Sequence, residues 1–114
     1  MKRILSAVML MFVLAGSAFG LSDSEYRKMR NNSRAFREAD KFLAEAYNAL
    51  KETMPRSEFK GVQEQQREWI NSGRDEAAET YIEEGLSRIE AYTQATEDRA
   101  EELDRQLKMQ MLPD

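Results

Sequence analysis

The side chains in this sequence that could carry out chemistry are almost all carboxylates. Adjacent acids occur at Asp75-Glu76, Glu83-Glu84, Glu97-Asp98 and Glu101-Glu102. Such pairs can bind a hard cation or cleave glycosidic bonds. No spacing resembles a calcium loop, and a small helical protein has little room for a substrate cleft. We therefore predict no metal ion, no cofactor and no catalytic residue, and we predict that the protein is not an enzyme.

Composition excludes several further classes of function. The chain of 114 residues has no cysteine and no histidine, which rules out disulfides, thiol nucleophiles and histidine-based triads. Its net charge is −4. Binding to nucleic acid or to an anionic lipid surface depends on basic patches, so no nucleic acid partner is expected. A basic protein would be a more suitable partner.

The first twenty residues are typical of a secretory signal peptide. Lys2 and Arg3 precede an apolar run over residues 4–15, and small residues end at Gly20. The apolar run is shorter than the roughly 20 residues that span a membrane. Ser17 follows Leu-Ala-Gly where a lipoprotein would have cysteine. We predict cleavage after Gly20 and a periplasmic or secreted chain of net charge −6, with no membrane anchor.

The remainder, residues 21–114, is predicted to form one helical domain. The predicted helices cover residues 23–30, 34–53, 58–84 and 87–109. Ser22 and Glu25 form a capping box before the first helix, and Pro55 follows the end of the second. Gly73 interrupts the third helix, and Gly85 ends it.

Apolar residues recur at steps of three and four along the long helices, which indicates one buried face on each. For the third helix the predicted buried positions are Phe59, Val62, Gln66, Trp69, Ile70, Ala77 and Tyr81. Short connections favour antiparallel neighbours. The predicted fold is all-α, a small antiparallel three-helix bundle preceded by a short helix, with Trp69 in the core.

Polar residues interrupt these apolar faces. Asp40 lies near Leu43, and Arg99 lies one turn before Leu103. A charge beside a core is tolerated only when it is paired or hydrogen-bonded. We therefore expect Asp40, or a neighbouring acid, to pair with Arg99 or Arg74 and to fix the register of the helices.

Three stretches of the chain resemble the lysozyme inhibitor LprI-like family. They are residues 39–47, with alanine at position 44 where the family usually has asparagine, residues 62–70, and residues 96–103. An Arg-Asp pair follows the second stretch one residue later than is usual, with Gly73 as the extra residue. The motif positions, which we expect to be structural, are Asp40, Leu43, Tyr47, Gln66, Trp69, Arg74, Asp75, Arg99 and Leu103.

The resemblance covers about residues 36–107 and implies an exported helical protein that binds and inhibits lysozyme or a related wall hydrolase. Many members have cysteines that this chain lacks. Animal-type lysozymes are strongly basic, so an acidic chain would be steered towards them. The turn at Met54–Glu58 and the turn at Gly85 are the candidate contact points. The alternative is a periplasmic helical interaction module for envelope maintenance or stress, without lysozyme inhibition.

Overall fold

The computed structural model describes residues 20–113, which are mostly helical and contain no strand. The elements in this range are α1 (Asp23–Asn32), α2 (Arg34–Thr53), α3 (Arg56–Glu68), a π-helical turn (Trp69–Gly73), α4 (Arg74–Glu83) and α5 (Arg88–Gln110). The predicted all-α class is confirmed. No helix within these residues has the length and apolar character needed to cross a membrane. Residues 1–19 of the predicted signal peptide lie outside the described part of the chain.

Capping side chains set most of the helix boundaries. The Ser22 hydroxyl accepts a hydrogen bond from the Glu25 amide at 3.0 Å, and the Glu25 carboxylate accepts one from the Ser22 amide. This is the predicted capping box. Ser33 caps α2, and a second capping box at Ser87 and Glu90 begins α5.

The start of the third predicted helix needs a correction. The sequence pattern predicts a start at Glu58, but α3 begins at Arg56 directly after Pro55. The fixed backbone angle of proline favours the entry into a helix, so Pro55 occupies the N-cap position and no side chain caps the first turn.

The long helices form an up-down-up bundle. Helices α3 and α4 run on through the π turn as one long helix, antiparallel to α2 and α5. Phe36 and Tyr92 share one cluster near the starts of α2 and α5, and Leu50 and Leu103 share another towards their ends, so these two helices run parallel. Helix α1 folds back on α2, where the rings of Tyr26 and Phe36 meet edge to face at 5.8 Å. The bundle and its short leading helix are as predicted.

Two hydrophobic cores lie along the bundle. The α1-side core consists of Leu21, Phe36, Ala78, Ala91 and Tyr92. The α3-side core consists of Leu43, Ala46, Leu50, Phe59, Val62, Ala100 and Leu103. Both contain residues of α2 and α5, so these two helices hold the bundle together along its length.

The π turn explains one wrong prediction about burial. Its last hydrogen bond runs from the Arg74 amide to the Trp69 carbonyl, five residues back instead of four. Such a turn accommodates one extra residue in a helix. The buried face after it is therefore displaced by one position, and Ala78 is fully buried where the sequence pattern predicted Ala77. Gly73, inferred from the resemblance to be an extra residue, is the last residue of the π turn.

Candidate functional site

Asp40 lies at the centre of a polar group beside the α1-side core. Its Oδ2 atom accepts a hydrogen bond from the Tyr26 hydroxyl at 2.6 Å and lies 2.9 Å from Nε of Arg30. Burial raises the pKa of Tyr26, and the adjacent Asp40 carboxylate raises it further. Asp40 therefore pairs with Arg30 of α1, not with Arg99, and this contact holds α1 against α2.

Asp75 lies where α4 meets α5 and the residues that precede α1. Its Oδ1 atom accepts hydrogen bonds from the Tyr92 hydroxyl at 2.5 Å and from the Leu21 amide at 3.2 Å. Its Oδ2 atom is buried and accepts no hydrogen bond from any residue in the described range. Burial raises the pKa of Tyr92, and the hydrogen bond to Asp75 adds to this. Asp75 thus links three segments of the chain.

Arg74 is only 4% exposed. Burial lowers the pKa of its guanidinium, and the carboxylates of Asp75 and Asp40 partly oppose that shift. Its Cζ atom lies 5.7 Å from the centroid of the Trp69 ring, within the range of a cation–π contact. The arginine of the motif is therefore a buried charge among acids, next to the motif tryptophan.

Arg99 is also buried, but its partners are different. Its Nε atom donates to Gln66 Oε1 at 2.8 Å, and its Nη1 atom lies 2.5 Å from Glu102, one turn further along α5. The contact with Gln66 connects α5 to α3. Two nitrogens of this buried cation thus contact a neutral amide and a half-exposed acid, while Nη2 is buried and has no hydrogen-bond partner among the described residues.

The remaining motif residues belong to the α3-side core. Leu43 and Leu103 are buried there, and Tyr47 and Trp69 pack against it as half-buried rings. Tyr47 lies 5.1 Å from Phe59 between ring centroids. The nine motif residues thus fall into two sets, one that makes polar contacts and one that packs in or against the apolar core. Neither set forms an open cleft on the surface.

Negative charge is concentrated in one half of the molecule. Residues 74–104 carry eleven acidic and three basic side chains, a net charge of −8, whereas residues 20–73 carry nine acidic and ten basic side chains, a net charge of +1. We call residues 74–104 the acidic hairpin, since they comprise α4, the turn at Gly85 and most of α5. No group of three acids within residues 20–113 is arranged to hold a metal ion.

A tyrosine hydroxyl lies among the acids of this hairpin. Tyr81 donates a hydrogen bond to Asp98 Oδ2 at 2.5 Å, connecting α4 with α5. That hydrogen bond raises the pKa of Tyr81 to about 12, and the charges of Glu84 and Glu101 contribute to the shift. The protonated hydroxyl thus connects α4 to one acid of α5, Asp98, in an environment made negative by Glu84 and Glu101.

The turn at Gly85 is built by its backbone. Gly85 has φ 110°, a left-handed conformation that glycine adopts without strain. The amide of Leu86 donates to the Tyr81 carbonyl and that of Gly85 to the Ile82 carbonyl, the Schellman pattern of a helix end. The predicted helix end at Gly85 is confirmed, and the turn presents exposed acids on both sides.

The other candidate turn, at Met54–Glu58, has a mixed electrostatic environment. The residues around it that carry charge are Lys51, Glu52, Arg56, Glu58 and Lys60. Three of the five are basic, so this end of the bundle has no excess of negative charge. The two turns predicted as contact points therefore differ in the partner that each would attract.

Comparison with known protein families gives one match. The family described as lysozyme inhibitor LprI matches residues 23–103, from the first residue of α1 to the last buried leucine of α5. The chain belongs to this LprI family. The family's description names an inhibitor, which agrees with the prediction of a protein that is not an enzyme. Neither the curated proteins nor the solved structures gave a significant match.

Sequence reasoning missed three residues of the polar group in this LprI-family protein. Leu21, Tyr26 and Arg30 belong to no apolar stripe, so periodicity did not single them out. A local signal was present, because Leu21 precedes the N-cap Ser22 and Tyr26 is the fourth residue after it. An apolar pair at these two positions is a known way to fix the start of a helix.

Proposed function

We propose that the mature protein is an exported inhibitor that binds lysozyme through the acidic hairpin. Membership of the LprI family supports the class of function. The observation that carries the choice of surface is the net charge of −8 on residues 74–104, since the rest of the described chain, residues 20–73 and 105–113, has a net charge of +3. A basic enzyme would be oriented towards this half before contact.

The turn at Gly85 is the part of the hairpin that we propose enters the lysozyme cleft. It connects two helices at an end of the bundle, and exposed Glu83 and Glu84 precede it. Ile82, 39% exposed, adds an apolar contact beside these acids. An acidic tip with an apolar neighbour suits a basic partner that binds a polymeric substrate in a groove.

A lysis assay tests the inhibition directly. Residues 21–114 at micromolar concentration should slow the clearing of a bacterial wall suspension by a basic animal-type lysozyme at low salt. Added salt should weaken the effect, because steering between exposed charges is screened. Unchanged clearing at low salt would contradict the inhibition. Binding without slower clearing would favour the interaction-module alternative.

A matched pair of variants tests the surface. The double change Glu84→Gln with Glu101→Gln removes two charges from the acidic hairpin, and Glu58→Gln with Glu64→Gln removes two exposed charges from α3. Both change the net charge equally. We expect about tenfold weaker binding at low salt for the hairpin variant and a much smaller loss for the α3 variant. Equal losses would show that net charge matters and the hairpin does not.

A further inference from the structure

The residue that would become the first of the mature chain is already fixed inside the protein. Leu21 is fully buried in the α1-side core with Phe36 and Tyr92. It directly precedes the N-cap Ser22, so the capping box holds the backbone on its other side. The position of the Leu21 nitrogen is therefore set by its own side chain and by the helix that follows.

That nitrogen faces an acid that has unused capacity to accept hydrogen bonds. It lies 3.2 Å from Asp75 Oδ1. The other carboxylate oxygen, Oδ2, is buried and accepts no hydrogen bond within the described range. A buried carboxylate oxygen without a donor is costly, because it has lost its water without a replacement. The Leu21 amide donates a hydrogen bond to one oxygen of Asp75, and the second oxygen has no donor among the described residues.

We propose that cleavage of the Gly20–Leu21 bond completes this site, with the new α-ammonium group of Leu21 as the ion-pair partner of Asp75. The inference rests on the predicted signal cleavage and is independent of lysozyme binding. Hydrolysis consumes one water, leaves a carboxylate on Gly20 and gives Leu21 an amine that takes up a proton at neutral pH. The single N–H of the amide is replaced by the three N–H groups of an ammonium, and a positive charge appears beside Asp75.

Several charged or titratable groups lie around the new terminus, and they belong to the elements packed there. Asp75 and Arg74 come from α4, Tyr92 and Arg88 from α5, and Glu25 from α1. Arg88 is held by Glu25, with nitrogen–oxygen distances of 3.1 and 3.0 Å, so its charge is already compensated. Its longer contact of 3.5 Å to the Gly20 carbonyl is lost on cleavage. Of these groups, Asp75 is the one that accepts a hydrogen bond from the Leu21 nitrogen, and the buried Arg74 lies near that carboxylate.

The experiment compares two proteins that differ by one residue. One consists of residues 21–114, in which the Leu21 nitrogen is an ammonium group. The other consists of residues 20–114, in which the same nitrogen is part of the Gly20–Leu21 peptide bond. Both contain the two complete cores. At pH 6 we expect the unfolding equilibrium constant in urea to be about tenfold larger for the longer protein. Asp75→Asn in both proteins should abolish most of this difference.

The pH dependence separates an ion pair from a packing effect. An amine stabilised by Asp75 holds its proton more tightly when folded, so its contribution is complete below the ordinary α-amine pKa of about 8 and is lost as the pH rises through the raised value. The two proteins should therefore converge in alkaline solution. Equal stability at pH 6, or a difference that persists in the Asp75→Asn background, would overturn the proposal.

Two further measurements do not depend on the variants folding. Mass analysis of the protein exported from cells that make the full chain should give Leu21 as the first residue, and any other start overturns the proposal. The α-amine of native residues 21–114 should also react with an acylating reagent at least about tenfold more slowly than in urea, since it is partly buried and Asp75 stabilises its protonated, unreactive form. Equal rates would contradict the pairing.

Discussion

The two cores of the bundle are stabilised in different ways. The α3-side core is made of aliphatic and aromatic side chains, with Leu50 and Leu103 fully buried. The α1-side core is smaller and is bordered by Asp40, Arg74 and Asp75. Apolar packing depends on volume and tolerates many partners, whereas a buried charge depends on a particular neighbour. The first should tolerate apolar substitutions that conserve volume, and the polar border of the second should not tolerate the loss of a charged or hydrogen-bonding partner.

The largest expected effect is the difference between two single-residue deletions in the long helix, one inside the π turn and one outside it. If Gly73 is an extra residue, its deletion should restore an ordinary α-helix and leave both buried faces in place. We expect the free energy of unfolding to change by less than about 1 kcal/mol. Urea denaturation followed by circular dichroism measures this.

Gly61 provides the matched control. It is also a glycine of the long helix, and a side chain at this position would contact nothing within 4 Å. Its deletion should rotate Phe59 by about 100° relative to Val62 and withdraw it from the α3-side core. The expected loss is about 3 kcal/mol or more. If deleting Gly73 lowered the free energy of unfolding as much as deleting Gly61, the fold would depend on the π turn, and Gly73 would not be a tolerated insertion.

A smaller effect should come from the same substitution made beside each core. Tyr92→Phe removes the hydroxyl that donates to Asp75 and should destabilise the protein by about 1–2 kcal/mol. Tyr47→Phe, beside the α3-side core, should change stability by less than about 0.5 kcal/mol, because this ring is half-buried and its hydroxyl bonds only to the exposed side chain of Gln63. Urea midpoints would measure both changes, and similar losses would remove the distinction between the cores.

The smallest effect concerns the exposed border of the α1-side core. The hydrogen bond to Arg88 lowers the pKa of Glu25 below its ordinary value of 4.5. The pair should therefore contribute stability above that pH and lose it as the pH falls through the lowered value. Both side chains are about 40% exposed, so Glu25→Gln should cost no more than about 1 kcal/mol at pH 7 and nothing in strong acid.

Glu38→Gln is the control for that measurement. Glu38 pairs with Arg34 one turn away on the exposed face of α2 and connects no two elements. We expect no measurable change at either pH. Thermal unfolding at pH 7 and at pH 3 would compare the two variants, and an equal loss for both would assign no special role to the contact between α1 and α5.

Local signals predicted most of the fold, while the partners of buried charges lay beyond them. Ser22, Pro55 and Gly85 mark helix ends through side-chain and backbone geometry within a few residues. The partner of Asp40 depends on how α1 folds back on α2, and the burial of Ala78 depends on a change of helical pitch. Neither can be predicted from apolar residues that recur with the regular period of an α-helix. The acidic hairpin needed only the order of charges along the chain once α4 and α5 were known to be adjacent.

The parallel arrangement of α2 and α5 has a consequence for how the chain reaches its final state. Both cores draw residues from α5, so the α1-side core is incomplete until synthesis has passed Tyr92, and the α3-side core until it has passed Leu103. Contacts between distant segments also form more slowly than local ones. A growing polypeptide would therefore stay open until its last helix is made.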